Sequence, residues 1–321
     1  MARITPPTIA PALAWIALLA AFGLIAKHFT VPIQLPTAIS FALLLAPYWA
    51  FGFGFDSWLR PRLTSRFART LAPLSLMVAY LVFALPLDQF RARQFFGLAV
   101  VILTVTLLLE RAHATSKDKP DWHDWLVLAI LGISVDLHFF SDAWSVPGLS
   151  GMPKLLFVDA GLYGYLVVRP IPNIGFDFRL RFSDFTIGLR EFLFFAPIAI
   201  SLGFALNFLH LHAVSGSIFT FAAGWLFTVF FVAMPEELFF RGLMLNMLEM
   251  RIGTRRALIV SSILFGLAHF NKRAAFFNWR YVILAAIAGV FYARAWLKQR
   301  RLAASSITHA TVDTVWSIWL R

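Results

Sequence analysis

The chain has 321 residues, of which 60% are hydrophobic and only 14% are charged, and its mean hydropathy is +0.76. Soluble domains are about half apolar and about one quarter charged, so this composition excludes an ordinary soluble protein. Cysteine is absent, which excludes disulfide bonds, thiolate metal sites and a cysteine nucleophile. The formal net charge is +12, and the positions of the basic residues decide what it means.

The apolar residues form long blocks, such as those at 13–26, 40–55, 71–86 and 95–109. Helical blocks that approach about 20 residues match the thickness of a bilayer core. Because the blocks are continuous rather than alternating, they indicate helices and not the strands of a barrel. The sequence predicts an all-α, polytopic transmembrane helical bundle of about eleven helices. The predicted helices lie near 9–26, 36–55, 71–86, 95–110, 124–140, 153–169, 192–211, 217–248, 256–270, 280–297 and 302–320.

The distribution of the basic residues along the chain agrees with this predicted topology. Most of the 28 lysines and arginines lie in loops after alternate predicted helices, at 60–69, 111–119, 169–190, 251–256 and 294–301. An excess of basic residues marks the cytoplasmic side of a membrane protein. We therefore expect an integral protein of the cell (inner) membrane with a cytoplasmic N-terminus. Since topology accounts for the charge, we expect membrane lipid as a partner and no nucleic acid.

A polar break at 169–191 divides the predicted helices into two groups. Its alternating Phe, Arg and Asp residues favour a segment that lies along the membrane interface. We predict N-terminal transmembrane helices of unrecognised role over 1–170 and a C-terminal core over 171–321.

The stretch PEELFFRG, residues 235–242, places two acids and a base inside an otherwise apolar helix. Ionisable residues inside spanning helices cost about 2.5–3.5 kcal/mol each on insertion scales, and they are functional candidates. On a helix, Glu237 and Arg241 are four residues apart and share a face, so they can pair. Glu236 is rotated by about 100° from Glu237. A structural ion pair therefore accounts for Glu237 and Arg241 but leaves Glu236 unexplained.

Two further polar motifs have the same four-residue spacing. FGLAH contains Phe265 and His269, and HATVD contains His309 and Asp313. Each pair shares one face of its helix. A single histidine in an apolar helix is more often a hydrogen-bonded core residue than a catalyst. Three polar sets on three separate helices favour one shared site.

Together, the motifs resemble those of the CAAX-protease and bacteriocin-processing (CPBP) family, the Rce1-like or Abi-type intramembrane glutamic proteases. EELFFR matches the Glu-Glu-x-x-x-Arg motif, FGLAH matches Phe-x-x-x-His, and HATVD matches His-x-x-x-Asn/Asp, in the order of the family. The resemblance covers roughly residues 180–321, and we recognise no family in the first 170 residues.

The resemblance implies an intramembrane endopeptidase that uses no bound metal or other cofactor and acts on a peptide or membrane-protein substrate. It implies that Glu236 and His269 activate the attacking water, and that His309 and Asp313 stabilise the oxyanion. An ionised Asp313 cannot donate a hydrogen bond, so its alternative role is to orient His309. In either case, Glu236 must meet both imidazoles around a cavity that holds water. Supporting roles are implied for Glu237 and Arg241 as an ion pair and for Phe265 at the pocket wall.

Three other interpretations stay open at this point. Glu236, His269 and His309 could ligate zinc in a metal-dependent membrane protease, although no His-Glu-x-x-His motif occurs. Intramembrane carboxylates and histidines, with Asp159 as an additional member, could form an ion relay. The third is a non-catalytic scaffold or immunity protein that keeps the motifs for stability.

Overall fold

The computed structural model describes residues 33–116, 118–145, 151–211, 218–272 and 276–320, together with residues 16, 18–20 and 23. These residues are helical or lie in connections, and no strand occurs among them. The predicted helix near 9–26 lies largely outside the described residues, and each of the other predicted helices has a helical counterpart. The fold is all-α, as predicted.

Six helical segments within the described residues are long and apolar enough to cross a membrane. The chain is therefore a polytopic helical membrane protein. Apart from 9–26, the remaining predicted spans correspond to helices that are shorter or more polar. The six segments are Leu35–Gly52, Arg66–Ala84, Ala92–Thr115, Phe182–Ala205, Ile218–Ile252 and Trp279–Gln299.

The chain divides into two compact units, one ending at Ile171 and the other beginning at Pro172. A buried polar contact ties the N-terminal unit together, because the indole N–H of Trp144 donates to the hydroxyl of Ser40 at 2.9 Å. The α-helices of this unit are α1 (Leu35–Gly52), α2 (Phe55–Leu59), α3 (Arg66–Leu71), α4 (Met77–Ala84), α5 (Ala92–Thr115), α6 (Trp122–Asp136) and α7 (Met152–Tyr163).

The C-terminal unit contains all three polar motifs, each on a different helical segment. Its α-helices are α8 (Phe182–Ala205), α9 (Ile218–Thr228), α10 (Met234–Glu237), α11 (Asn246–Ile252), α12 (Thr254–Leu267), α13 (Trp279–Gln299) and α14 (Leu302–Trp319).

Helix α8 begins at Phe182, well before the predicted start at 192. The prediction that the whole segment 169–191 lies outside a spanning helix is therefore wrong for its last ten residues. The physical reason is a cap, because the carboxylate of Asp184 accepts the backbone N–H of Arg181 at 2.8 Å. The same carboxylate pairs with Arg301 just before α14, which allows its charge to be buried.

Helices α9, α10 and α11 form one continuous segment of 35 residues that carries the first motif. Wide π-helical turns at Val229–Ala233 and Leu238–Leu245 flank α10. Pro235 has no N–H to donate, so the regular bonding ladder cannot continue through it. Wide turns of this kind change which side chains share a face, and they occur often at functional sites.

Two glycines allow the helices around the site to approach closely. A Cβ added at Gly188 of α8 would lie 2.9 Å from the carbonyl oxygen of Ala304 in α14. A Cβ at Gly266 of α12 would lie 2.5 Å from the carbonyl oxygen of Val282 in α13. Both distances are shorter than a carbon atom tolerates, so glycine sets the spacing of these helix pairs.

A left-handed residue connects the last two helices. Arg300 has a φ of 54° and ends α13, after which α14 starts at Leu302. The N–H of Leu302 donates to the carbonyl oxygen of Gly175 at 3.0 Å. This tight reversal places α14 next to α13 and brings the third motif back along the helix that follows the second.

Candidate active site

The Glu237–Arg241 pair is formed and enclosed. The guanidinium Nη1 of Arg241 donates to Glu237 Oε1 at 3.1 Å, and both side chains are fully buried. Arg241 Nη2 donates to the backbone carbonyl of Gly289 in α13 at 3.1 Å. The guanidinium carbon lies 4.3 Å from the ring centre of Phe265. The pair therefore links the first motif both to α13 and to the aromatic residue of the second motif.

His309 of α14 connects the third motif to both glutamates of the first. Its Nδ1 lies 2.8 Å from Glu237 Oε1, and its Nε2 lies 3.8 Å from Glu236 Oε2. The same Nε2 is 3.5 Å from Asp313 Oδ2, one helical turn along α14. An ionised carboxylate only accepts hydrogen bonds, so Nδ1 carries a proton that it donates to Glu237.

Two aromatic rings hold the imidazole of His309 in place. Tyr292 of α13 stacks on it with ring centres 4.6 Å apart and an angle of 17° between the planes. Phe265 meets it edge to face, at 5.7 Å and 89°. Phe265 thus contacts both Arg241 and His309.

His269 lies in the turn that follows α12. Its Nδ1 is 2.8 Å from the carbonyl oxygen of Phe265. A carbonyl oxygen only accepts, so Nδ1 is the protonated nitrogen and Nε2 of the neutral ring is free to accept a hydrogen bond. The ring also packs 4.8 Å from Phe265 and 5.0 Å from Tyr281. These contacts define both the orientation and the tautomer of the imidazole.

A cavity of about 100 Å³ adjoins these groups. His269, His309, Asp313, Tyr281, Tyr292 and Trp316 line it, and the rest of its wall is apolar. One water molecule needs a cavity of roughly 15 Å³, so this cavity has room for water beside both imidazoles. The site therefore has a polar patch with room for water at the edge of a largely apolar cavity.

Glu236 does not line this cavity, which differs from the geometry expected from the sequence. Its side chain is 39% exposed, and its Oε2 lies 3.8 Å from His309 Nε2, the same nitrogen that lies 3.5 Å from Asp313. His309 Nε2 is close to the carboxylates of both Glu236 and Asp313. His309, which lines the cavity, is therefore the contact between Glu236 and the cavity wall.

Asp159, the candidate for an ion relay, lies in α7 of the N-terminal unit. Its side chain is buried, and among the described residues neither carboxylate oxygen has a hydrogen-bond partner.

Sequence reasoning missed Tyr292, which contacts His309 and lines the cavity. A tyrosine within the apolar helix GVFYARAW has no distinctive spacing to the three motifs, and only the packing of α13 against α14 brings it to the site. No group of three His, Asp or Glu side chains among the described residues is arranged to hold a metal ion.

Residues 218–315 match the sequence profile of the family described as type II CAAX prenyl endopeptidase Rce1-like. This part of the chain is similar to the Rce1-like family. This Rce1-like region begins with α9 and contains Glu236, His269, His309 and Asp313, so all three motifs fall within the match. The resemblance to CAAX proteases is confirmed, and it supports a membrane endopeptidase of the CAAX type. Neither the curated proteins nor the solved structures contain a match to this chain.

Proposed function

We propose that the protein is a metal-independent glutamic intramembrane endopeptidase that hydrolyses a peptide bond of a membrane-associated protein or peptide. One observation carries this proposal: His309 contacts Glu237, Glu236 and Asp313 beside a cavity that His269 also lines. A structural ion pair needs only Glu237 and Arg241. It gives no reason for two imidazoles and the Asp313 carboxylate beside a cavity with room for water, or for a second glutamate next to His309.

In the proposed reaction, the 39% exposed side chain of Glu236 turns toward the cavity, where Glu236 and His269 activate one water. The water donates one O–H to the Glu236 carboxylate and the other to the acceptor Nε2 of His269. Its oxygen forms a bond to the carbonyl carbon while the π electron pair moves to the carbonyl oxygen, and Glu236 takes the proton. The C–N bond then breaks, and the leaving nitrogen takes that proton from Glu236. The neutral tautomer of His269, with Nδ1 bonded to Phe265, supports this assignment.

His309 is placed to stabilise the oxyanion. Its Nδ1 is bonded to Glu237, so a protonated Nε2 is the atom that can donate to the developing negative oxygen. Asp313 does not donate to the substrate, because an ionised carboxylate has no proton to donate, and its negative charge 3.5 Å from Nε2 favours the doubly protonated ring. We assign Asp313 the role of orienting His309, and Glu237 and Arg241 the role of holding its other nitrogen.

The surroundings of the site support a membrane-embedded substrate. The Rce1-like region includes two of the segments that are long and apolar enough to span, Ile218–Ile252 and Trp279–Gln299. Membrane lipid is therefore a partner, and the distribution of lysine and arginine supports a cytoplasmic N-terminus in the cell (inner) membrane. We propose no nucleic-acid partner.

Peptidomics on membranes that contain wild type or Glu236→Gln tests the proposal and seeks the substrate in the same measurement. Glu249→Gln is the matched control, since it makes the same change on the same helical segment at a residue that pairs with Arg300 instead. We expect cleavage products with wild type and with the control, and none with Glu236→Gln. Products that persist in Glu236→Gln would remove the mechanism.

Cleavage measured in the same membranes with 1,10-phenanthroline or EDTA distinguishes the proposed mechanism from that of a zinc protease. Cleavage by the proposed mechanism persists in the presence of either chelator, because no step uses a metal ion. Loss of cleavage that added zinc restores would favour the metal-dependent alternative.

A further inference from the structure

Tyr292 is a buried polar residue with an unused hydroxyl. Its side chain is only 2% exposed, and it lines the same cavity as His269, His309 and Asp313. Among the residues that the structure describes, no hydrogen-bond partner of the Tyr292 hydroxyl is found. A hydroxyl without a partner is either fully enclosed by protein or faces open space, and the Tyr292 hydroxyl is not fully enclosed. For this residue, that space is the cavity.

The ring of Tyr292 is held firmly by its neighbours. It stacks on His309, meets Phe265 at 5.7 Å and 74°, and lies 5.2 Å from the guanidinium carbon of Arg241. A donor fixed in this way needs no reorganisation when charge develops beside it, which is the condition for strong electrostatic stabilisation. The hydroxyl is therefore preorganised toward the water-accessible side of the site.

The proposed oxyanion site needs a second donor beside His309, because oxyanion sites of acyl transfer combine two or more hydrogen-bond donors. His309 supplies one donor, ionised Asp313 supplies none, and His269 uses Nδ1 on a backbone carbonyl. Tyr281, Trp316 and Tyr292 also line the cavity, and of these Tyr292 is the one whose ring stacks on His309. A tyrosine hydroxyl carries its proton at neutral pH and supplies one donor.

We propose that the Tyr292 hydroxyl donates a hydrogen bond to the carbonyl oxygen of the scissile peptide and strengthens that bond as the oxygen becomes negative. This assignment rests on the proposed endopeptidase function. The proton stays on the phenol throughout, and the bonds that form and break are those of the hydrolysis itself. Tyr292 is then a catalytic residue outside the three motifs.

Tyr292→Phe tests the assignment, because it removes the hydroxyl and keeps the ring that stacks on His309. Removing one donor from an oxyanion site lowers kcat by about 100-fold to 1,000-fold. We expect a loss of that size in kcat with KM changed by less than about twofold, because the bond matters most in the transition state. Tyr80→Phe in α4 is the control for removing a buried tyrosine hydroxyl, and it is expected to keep wild-type kcat.

A peptide aldehyde and the matching peptide alcohol give a second readout that a structural role would not change. The aldehyde adds water to form a hydrate whose tetrahedral carbon carries two oxygens, as in the transition state, whereas the carbon of the alcohol carries only one. We expect Tyr292→Phe to weaken the aldehyde by at least about tenfold more than the alcohol. Equal weakening of both compounds would indicate a packing role and overturn the assignment.

The outcomes separate the two proposals. Should wild type cleave and Glu236→Gln fail to cleave while Tyr292→Phe keeps full kcat, only the role of Tyr292 is overturned. A wild type without any cleavage overturns the endopeptidase function and the role of Tyr292 with it. The melting temperature of Tyr292→Phe in detergent is measured alongside, and a folded variant with low kcat and unchanged KM supports the proposal.

Discussion

His309 Nδ1 lies 2.8 Å from Glu237 Oε1, so a residue of the last helix shares the carboxylate that also accepts from Arg241. One carboxylate oxygen therefore receives two donors from two different helical segments. Because all three side chains are buried, none of them can find water as a substitute partner. The positions of the first and third motifs depend on each other through this single atom.

Removal of the Glu237 carboxylate is expected to affect stability and activity together. Glu237→Ala leaves the Arg241 guanidinium buried without its partner, and breaking a buried pair in this way costs about 3–5 kcal/mol. We expect a lower midpoint of unfolding in detergent and no detectable cleavage. The double variant Glu237→Leu/Arg241→Met removes both charges and is expected to recover much of the stability without recovering cleavage. A double variant as unstable as Glu237→Ala would contradict the ion-pair account.

His269→Asn tests the role of Nε2 of His269 separately from that of Nδ1. The amide nitrogen of asparagine can still donate to the carbonyl of Phe265, but the variant has no equivalent of the acceptor Nε2. We expect a kcat lower by about 100-fold with little change in thermal stability. Peptide cleavage in proteoliposomes gives the rate, and His210→Asn, an exposed residue that does not line the cavity, is the control. Unchanged kcat in His269→Asn would exclude His269 from water activation.

Gly266→Ala is expected to separate α12 from α13. The new methyl group would meet the carbonyl of Val282 at 2.5 Å, and such overpacking costs about 1–3 kcal/mol. His269 follows α12 directly, so a shift of this helix also misplaces the imidazole. Gly224→Ala in α9 is the matched control, because nothing lies within 4 Å of its added Cβ. We expect this control to be neutral or slightly stabilising, since alanine favours a helix over glycine by roughly 0.5–1 kcal/mol.

Asp184 is expected to matter more for stability than Asp177, although both pair with Arg301. The Asp184 side chain is fully buried and accepts from Arg301 Nε at 2.9 Å and Nη2 at 3.0 Å, whereas Asp177 is 24% exposed. Burial disfavours the charged form of Arg301, but the hydrogen bonds to Asp184 and Asp177 outweigh it and raise the pKa of Arg301. Loss of a buried charge-assisted hydrogen bond costs about 1.5–3 kcal/mol. Thermal unfolding of Asp184→Asn and Asp177→Asn compares the two, and equal losses would contradict the difference in burial.

Much of the fold follows from local patterns. Continuous apolar blocks predict the helices because a membrane helix satisfies its backbone within its own segment. The early start of α8 was missed because the alternating Phe, Arg and Asp residues of 182–191 look interfacial. The buried pair of Asp184 with Arg301, far away in the sequence, makes a helix start at Phe182 possible.

The sequence by itself determined the helices, the three motifs and the pairing of Glu237 with Arg241, because these depend on hydropathy and on spacing along one helix. Tertiary structure decided the contact between Glu237 and His309, the position of Glu236 outside the cavity, and the presence of Tyr292 beside His309. Those relationships join segments far apart in the chain. They depend on how closely α12, α13 and α14 pack and on the wide turns around α10, which no local pattern specifies.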